Sequence, residues 1–286
     1  MKERIVGPLV VAGTVVEIRT NSDEFAELAR QVFGGLAAIA DRDAQPTVVF
    51  DTHRHLHPHL HWSVHRDGEP CELELREDAV IVHQQWELNR IAIETNPAAV
   101  HAASVAVNDR GILLAGVSHS GKTTLAGWLA NQPGVEFVGD EVAVIDDHGQ
   151  VHPYPRPLGL RAHSPALADR RDRPADPIVR RFMPDEQLVA PSELGAIQRR
   201  TPVPVSVIVF PRFDPSADWL TMRPVDQAHC FERMATLTPG LSRHGRPVFE
   251  RLARLVRSAL AVELTYPNVA PAAEAVMTIA AEGDGR

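Results

Sequence analysis

Apolar and polar positions along this chain change period several times, and each change marks an element. Residues 9–18 alternate loosely and are rich in valine, which predicts a strand. Phe25, Leu28, Val32, Phe33 and Leu36 then recur at helical spacing behind Asn21-Ser22-Asp23-Glu24, which offers an N-cap. Residues 47–50 predict another strand. Leu73-Glu74-Leu75 and Ala79-Val80-Ile81-Val82 predict a hairpin around Glu77-Asp78. Residues 84–95 predict a helix with Trp86, Leu88, Ile91 and Ala92 as its apolar set, ended before Asn96-Pro97.

The second half repeats the alternation of strands and helices. Residues 101–107 predict a strand, Asn108-Asp109-Arg110-Gly111 a turn, residues 111–115 a short apolar strand and residues 124–130 a helix. Residues 135–141 carry an apolar strand into two acids, residues 142–145 continue as a strand, and Asp146-Asp147-His148-Gly149 turns it. Residues 154–161 predict an extended segment. Residues 205–210 predict a buried strand closed by Pro211, and residues 219–222 an edge strand. Helices follow at residues 226–234 and 247–260, the latter with Phe249, Leu252, Leu255 and Val256 on one face. A strand at residues 262–266 and a helix at residues 271–281 close the chain. The expected organisation is a small N-terminal α/β domain over residues 1–99 and a second domain over residues 100–286. Residues 162–204 form an irregular stretch rich in Pro, Arg and Asp. Its arginines Arg170, Arg171, Arg173, Arg180, Arg181, Arg199 and Arg200 suit either a lid or docking surface for acidic groups, or a solvated linker.

Composition narrows the class. The chain has 286 residues and is 44% hydrophobic, enough for a real core. Its net charge of −8 gives no global basic field for nucleic acid or an anionic membrane. Cys71 and Cys230 are the only cysteines, so there is no disulfide framework or zinc ribbon, which suits a reducing cytosol. The start, Met1-Lys2-Glu3-Arg4, lacks the apolar core of a secretory signal. No apolar run approaches the roughly 18 residues needed to span a bilayer. A cytoplasmic protein that meets neither nucleic acid nor membrane is expected.

The strongest chemical signal lies between the strand at 111–115 and the helix at 124–130. Gly116-Val117-Ser118-His119-Ser120-Gly121-Lys122-Thr123 fits the G-x-x-x-x-G-K-[ST] phosphate loop. Glycines let successive N–H groups curl toward one concavity, and the helix that follows adds its free N–H groups and positive dipole end. Gly116, Ser118, His119, Ser120, Gly121, Lys122 and Thr123, with Thr124 in the next turn, are the nucleotide-binding candidates. Lys122 is expected to reach the outer phosphates and Thr123 to place its hydroxyl on magnesium. Lys2 and Lys122 are the only lysines in an arginine-rich chain, so a lysine in this slot points to a role arginine does not fill.

Two further features converge on that loop. If the strands around residues 108–111 pair as a two-residue hairpin with Asn108 opposite Gly111, His101 falls opposite Ser118, inside the loop. Asp140 and Glu141 stand at the end of the next strand, where an acid can hold magnesium or accept the proton of an attacking hydroxyl. Adjacent strand residues point to opposite faces, so the two acids share a role only if a bulge intervenes. Elsewhere, His53, His55, His57, His59 and His61 alternate strictly, with His65 beyond. In an extended chain they would share a face and could bind a metal, but Pro58 interrupts the ladder, and a solvated hairpin or loop is the simpler expectation.

Residues 100–161, through His101, the loop 116–123 and the pair Asp140-Glu141, resemble the catalytic domain of HPr kinase/phosphorylase. They resemble more closely the shorter HPr-kinase-related proteins of peptide-modification pathways, including lasso-peptide precursor kinases, as do residues 263–276. The resemblance implies an α/β, phosphate-loop kinase domain of the HPr kinase/phosphoenolpyruvate carboxykinase type. It implies Asp140 as general base, His101 assisting, Glu141 and Thr123 serving magnesium, and Lys122 holding phosphate. The family's second acid is usually Asp where this chain has Glu141, and its loop opens Gly-Asp where this chain has Gly116-Val117. The full Glu-Arg-Gly loop of the phosphorylase reaction is not found, and Arg156 and Arg161 are the candidates for its arginine. The implied activity is ATP-dependent transfer of a γ-phosphoryl group to a Ser or Thr hydroxyl of a peptide or small protein, with ATP and Mg2+ required. The family often forms oligomers, so a homo-oligomer is a further implication. A small-molecule hydroxyl kinase and a non-catalytic ATP-binding regulator are the alternatives.

Overall fold

A computed structural model describes residues 3–41, 43–55, 61–160 and 187–282. Among them the strands form a five-stranded sheet, a ten-stranded sheet and a separate strand pair, a mixed α/β arrangement.

The first sheet is built in the order β1 (Arg4–Val11), β2 (Thr14–Thr20), β3 (Val48–His55), β4 (His61–Arg66) and β5 (Glu69–Leu75). The expected single strand over residues 9–18 is two strands, because Ala12 and Gly13 turn the chain at φ 50° and 91°. No Asn-Gly signal marks that turn. β2 and β3 are parallel, and α1 (Asp23–Val32) and α2 (Gly34–Ala38) form the crossover between them. Ser22 caps α1 by accepting from Phe25 N–H at 3.2 Å, a contact worth about 1 kcal/mol.

The third helix corrects the expected hairpin at residues 73–82. Leu75 ends β5, and α3 (Val80–Thr95) begins at Val80. The β-branched run Val80-Ile81-Val82 mimics a strand, but Val80, Ile81, Gln84, Gln85, Leu88, Ile91 and Ala92 are buried at helical spacing. Trp86 is 54% exposed, outside the apolar set expected for it, and carries the Arg90 guanidinium over its ring at 5.3 Å. β3 and β4, which carry the described histidines of the run, pair antiparallel with His55 opposite His61 and their rings stacked at 4.9 Å. His57 and His59 lie outside the described residues.

The second sheet starts at β6 (Ala99–Val100), β7 (Ala102–Val107) and β8 (Arg110–Ala115). It continues through α4 (Lys122–Ala130), β9 (Val135–Gly139), β10 (Ala143–Ile145) and β11 (Gln150–His152). β12 (Leu158–Leu160) pairs with β13 (Gln187–Val189) apart from it. The chain rejoins the sheet in β14 (Ile197–Gln198) and β15 (Val203–Phe213), then passes through β16 (Thr221–Pro224), α5 (Gln227–Thr236), α6 (Gly240–His244), α7 (Arg246–Ser258), β17 (Leu260–Tyr266) and α8 (Val269–Glu282). β15 runs parallel to both β8 and β17.

Period-2 alternation sorts the central strands onto two buried faces. Ile112 and Leu114 pack with Leu125 and Leu129 of α4 and Ala272, Ala273 and Val276 of α8. Leu113 and Ala115 pack on the other face with Cys230 and Met234 of α5 and Leu252, Leu255 and Val256 of α7. Phe249, expected on that apolar face, is 51% exposed, and Val248 is buried in its place. Pro211 does not close β15. It lies beyond the pairing with β8, where a missing N–H breaks no ladder bond on that side, and faces Leu264 of β17. The core of the first sheet also takes in Val142, Val144, Tyr154 and Leu188, so the two sheets share packed side chains.

The irregular stretch expected at residues 162–204 is only partly described. Residues 161–186, with Arg161, Arg170, Arg171, Arg173, Arg180 and Arg181, lie outside the described residues. Residues 187–204 are ordered into β13, a 3-10 turn (Pro191–Leu194), β14 and the start of β15. Arg199 donates to Glu136 at 2.7 Å and Asp109 at 2.6 Å, so it ties strands together.

Candidate functional site

The site grows from the edge where β8 ends. Gly116 leaves the strand, and a Cβ there would come within 2.7 Å of Ser120 Oγ. Val117, Ser118 and His119 are exposed at the loop tip, with His119 at φ 68°. Ser120 N–H donates to Val117 O at 3.3 Å, which closes the turn. Gly121 takes φ 95°, and a Cβ at this position would collide with the Tyr266 hydroxyl, so both space and conformation call for glycine. α4 begins at Lys122, followed by Thr123 and Thr124 in its first turn. The predicted strand, loop and helix are present in that order.

Lys122 is only 4% exposed. Its Nζ donates to Val117 O at 3.4 Å and stands 3.6 Å from Glu141 Oε2. Thr123 Oγ1 donates to Asp140 Oδ1 at 3.2 Å. The two acids follow the end of β9, and the chain leaves the pleat there. Glu141 adopts φ 70°, a left-handed conformation that costs on the order of 1–3 kcal/mol and concentrates at functional sites. β9 pairs with β7, whereas β10, after three intervening residues, pairs with β6 and β11. This break lets neighbouring acids face one cluster, Asp140 toward Thr123 and Glu141 toward Lys122.

His101 joins the cluster by a route other than the expected register. Val107 pairs with Arg110 and Ala102 with Ala115, so Asn108-Asp109 form the turn at φ 50° and 59°. Asn and Asp tolerate left-handed backbone, which favours them over Asp109-Arg110 as the turn pair. His101 therefore does not fall opposite Ser118. Its Nδ1–H donates to Glu141 O at 3.1 Å and lies 3.5 Å from Glu141 Oε2.

Asp140 is 1% exposed. Burial is the main force raising its pKa above the usual carboxylate value; the Arg156 charge opposes it, the Glu141 carboxylate adds to it, and Lys122 and the Glu141 N–H pull it back. Arg156, a candidate loop arginine from the resemblance, proves to be buried beside Asp140. It is 5% exposed, and Gln85 of α3, turned with its amide oxygen toward the guanidinium, accepts from Arg156 Nε at 3.1 Å. Tyr154, two residues earlier, donates its hydroxyl to Asn89 of α3 at 3.0 Å and its N–H to Val138 O at 2.8 Å. A helix of the first sheet thus holds the segment that brings a cation near Asp140. The resemblance names Arg156 only as a candidate loop arginine, and nothing in the sequence pattern shows its tie to Gln85 of α3.

The residues present fit a magnesium-bound nucleotide phosphate. Thr123 and the two carboxylates are hard oxygen donors, and Glu141 Oε2 is buried without a hydrogen-bond partner. Lys122 and the N-terminal amides of α4 supply the complementary positive field.

No protein-family model matches the chain, and no curated protein sequence matches it. Among solved structures, the chain is similar to the HPr(Ser) kinase/phosphatase from Coxiella burnetii, at 12% identity over 63% of this chain and 92% of that one, with a TM-score of 0.28.

Proposed function

We propose that the chain is an ATP-dependent kinase that transfers the γ-phosphoryl group to a hydroxyl, the acceptor being a Ser or Thr of a peptide or small protein. The observation that carries this reading is the meeting of Lys122 and Thr123, at the start of α4, with Asp140 and Glu141 at the end of β9. A glycine-rich turn that only joins strand to helix has no need of a buried lysine and two carboxylates around it.

In this reading the loop amides and Lys122 hold the β- and γ-phosphates, and Glu141 and Thr123 hold magnesium. Magnesium, when bound, neutralises charge on the phosphate oxygens. Asp140 accepts the proton of the acceptor hydroxyl as its oxygen bonds to the γ-phosphorus. The bond from that phosphorus to the bridging oxygen breaks, and ADP leaves with the electron pair. Burial suits Asp140 to this task, because a carboxylate with a raised pKa is a stronger base than a solvated one. His101 braces Glu141 through the backbone carbonyl and the carboxylate.

Phosphoryl transfer from γ-labelled ATP with magnesium tests the reading, with Ser-containing peptides and small hydroxyl compounds as acceptors and Lys122→Ala as control. Label on a peptide, absent with the variant, is the expected result. Label on small hydroxyl compounds alone would replace the peptide acceptor. Bound ATP with no label on any acceptor would favour a nucleotide-binding regulator and sink the role given to Asp140.

A further inference from the structure

Three parallel strands, β8, β15 and β17, end side by side at the edge that carries the loop. In open α/β sheets ligands lie outside the carboxyl ends of such strands. The strand ends next to the loop carry Phe213 and Tyr266, paired in register. Both are fastened to the loop. Phe213 N–H donates to Ser120 O at 3.0 Å, and the Tyr266 hydroxyl donates to Gly121 O at 3.2 Å. Their rings stand 5.8 Å apart at 55°.

The two rings differ in what they leave open. Tyr266 is 1% exposed, its ring filling the space beside Gly121. Phe213 is 48% exposed, although it ends the same strand that buries Phe210. A large, half-exposed aromatic ring, in tilted contact with a buried tyrosine and held at the backbone by the glycine-rich loop, is a preformed apolar surface. A nucleotide bound through its phosphates can place its base at the strand ends beside the loop, where Phe213 and Tyr266 lie.

We propose that Phe213 is the stacking face for the base of the nucleotide whose phosphates the loop holds, with Tyr266 supporting it from behind. This rests on the nucleotide-binding reading of the loop. Every base presents a π-face, so stacking of this kind strengthens binding without selecting adenine over guanine.

Calorimetric titration of the full chain with ATP, GTP and inorganic tripolyphosphate, each with magnesium, tests the proposal. In Phe213→Ala, ATP and GTP affinity should fall about 5- to 150-fold, the range that stacking of one base is worth, while tripolyphosphate affinity stays unchanged. Phe213→Tyr should keep ATP affinity within about threefold of wild type, since it restores the ring. Unchanged tripolyphosphate binding shows that the loop of the alanine variant is intact. Equal ATP affinity in wild type and Phe213→Ala overturns the proposal and leaves the phosphate reading standing. So does a parallel loss of ATP and tripolyphosphate in both variants. A wild-type chain that binds neither ligand overturns the nucleotide reading, and this proposal with it.

Discussion

The Thr123 hydroxyl donates to Asp140 Oδ1 across 3.2 Å, joining the first turn of α4 to the end of β9. The acceptor is almost fully buried, and its ionised form is disfavoured chiefly by that burial. One carboxylate thus carries both a chemical advantage and a cost in stability.

Asp140→Asn should separate the two. Turnover should fall by about 10²–10⁴-fold, the usual contribution of a positioned acid or base. The fold should become more stable at neutral pH, because burial disfavours the ionised carboxylate by more than Arg156 and Lys122 favour it, and the amide is neutral. The sign follows from the raised pKa. Below the ordinary carboxylate value of 3.8 both folded and unfolded states are protonated, and wild type and variant differ little. As pH rises above it the unfolded state ionises first, so wild type loses stability that the variant keeps. Thermal melts of both proteins across pH 3–7 measure this, and a wild type more stable than Asp140→Asn at neutral pH would refute it.

Lys122→Ala should reduce turnover at least about 10²-fold, as expected for loss of a charge aimed at transferring phosphate. Lys122→Arg should not restore it. The slot is 4% exposed and filled by a slender ammonium between Val117 O and Glu141, which a planar guanidinium does not match. Steady-state rates for the three proteins decide the point, and an arginine variant near wild-type activity would contradict it.

Gly121→Ala should destabilise the fold by about 2–3 kcal/mol, through a left-handed backbone angle and collision with the Tyr266 hydroxyl. Tyr266→Phe alone loses one hydrogen bond, about 1 kcal/mol. Combined, the two changes should cost less than their sum, because the phenylalanine lacks the colliding atom. Denaturant melts of the four proteins give the coupling. Strict additivity would mean that Gly121 is required by its φ alone.

The parts of the site that could be read from the chain are those fixed by local pattern. Residues 112–130 hold an apolar strand, a glycine-bounded loop and a helix within one short run, and their order survives in β8 and α4. The features that escaped depend on distance or on single backbone angles. Asn108-Asp109 and Asp109-Arg110 are both plausible turn pairs by composition, and tolerance of positive φ decides between them. The left-handed Glu141 turns two neighbours toward one cluster, which a strand period cannot show. The Val80-Ile81-Val82 run reads as strand until packing of Leu88 and Ile91 fixes it as helix. Gln85 and Arg156 are far apart in sequence and meet only because the two sheets share a core.

The Arg156 charge is the largest influence holding down the pKa of Asp140 against burial, and Gln85 of α3 holds the guanidinium. Arg156→Met should therefore raise the Asp140 pKa further. Asp140 must be ionised to accept a proton, so the acid limb of the pH–rate profile should move to higher pH. Gln85→Ala should move it in the same direction by less, since the arginine remains but loses its tether. Gln85 is on a helix of the first sheet, which places one control of the base outside the sheet that carries it. Profiles of kcat against pH for wild type and both variants provide the test. An acid limb that stays put in Arg156→Met, or moves to lower pH, would show that the charge beside Asp140 has no part in setting its ionisation.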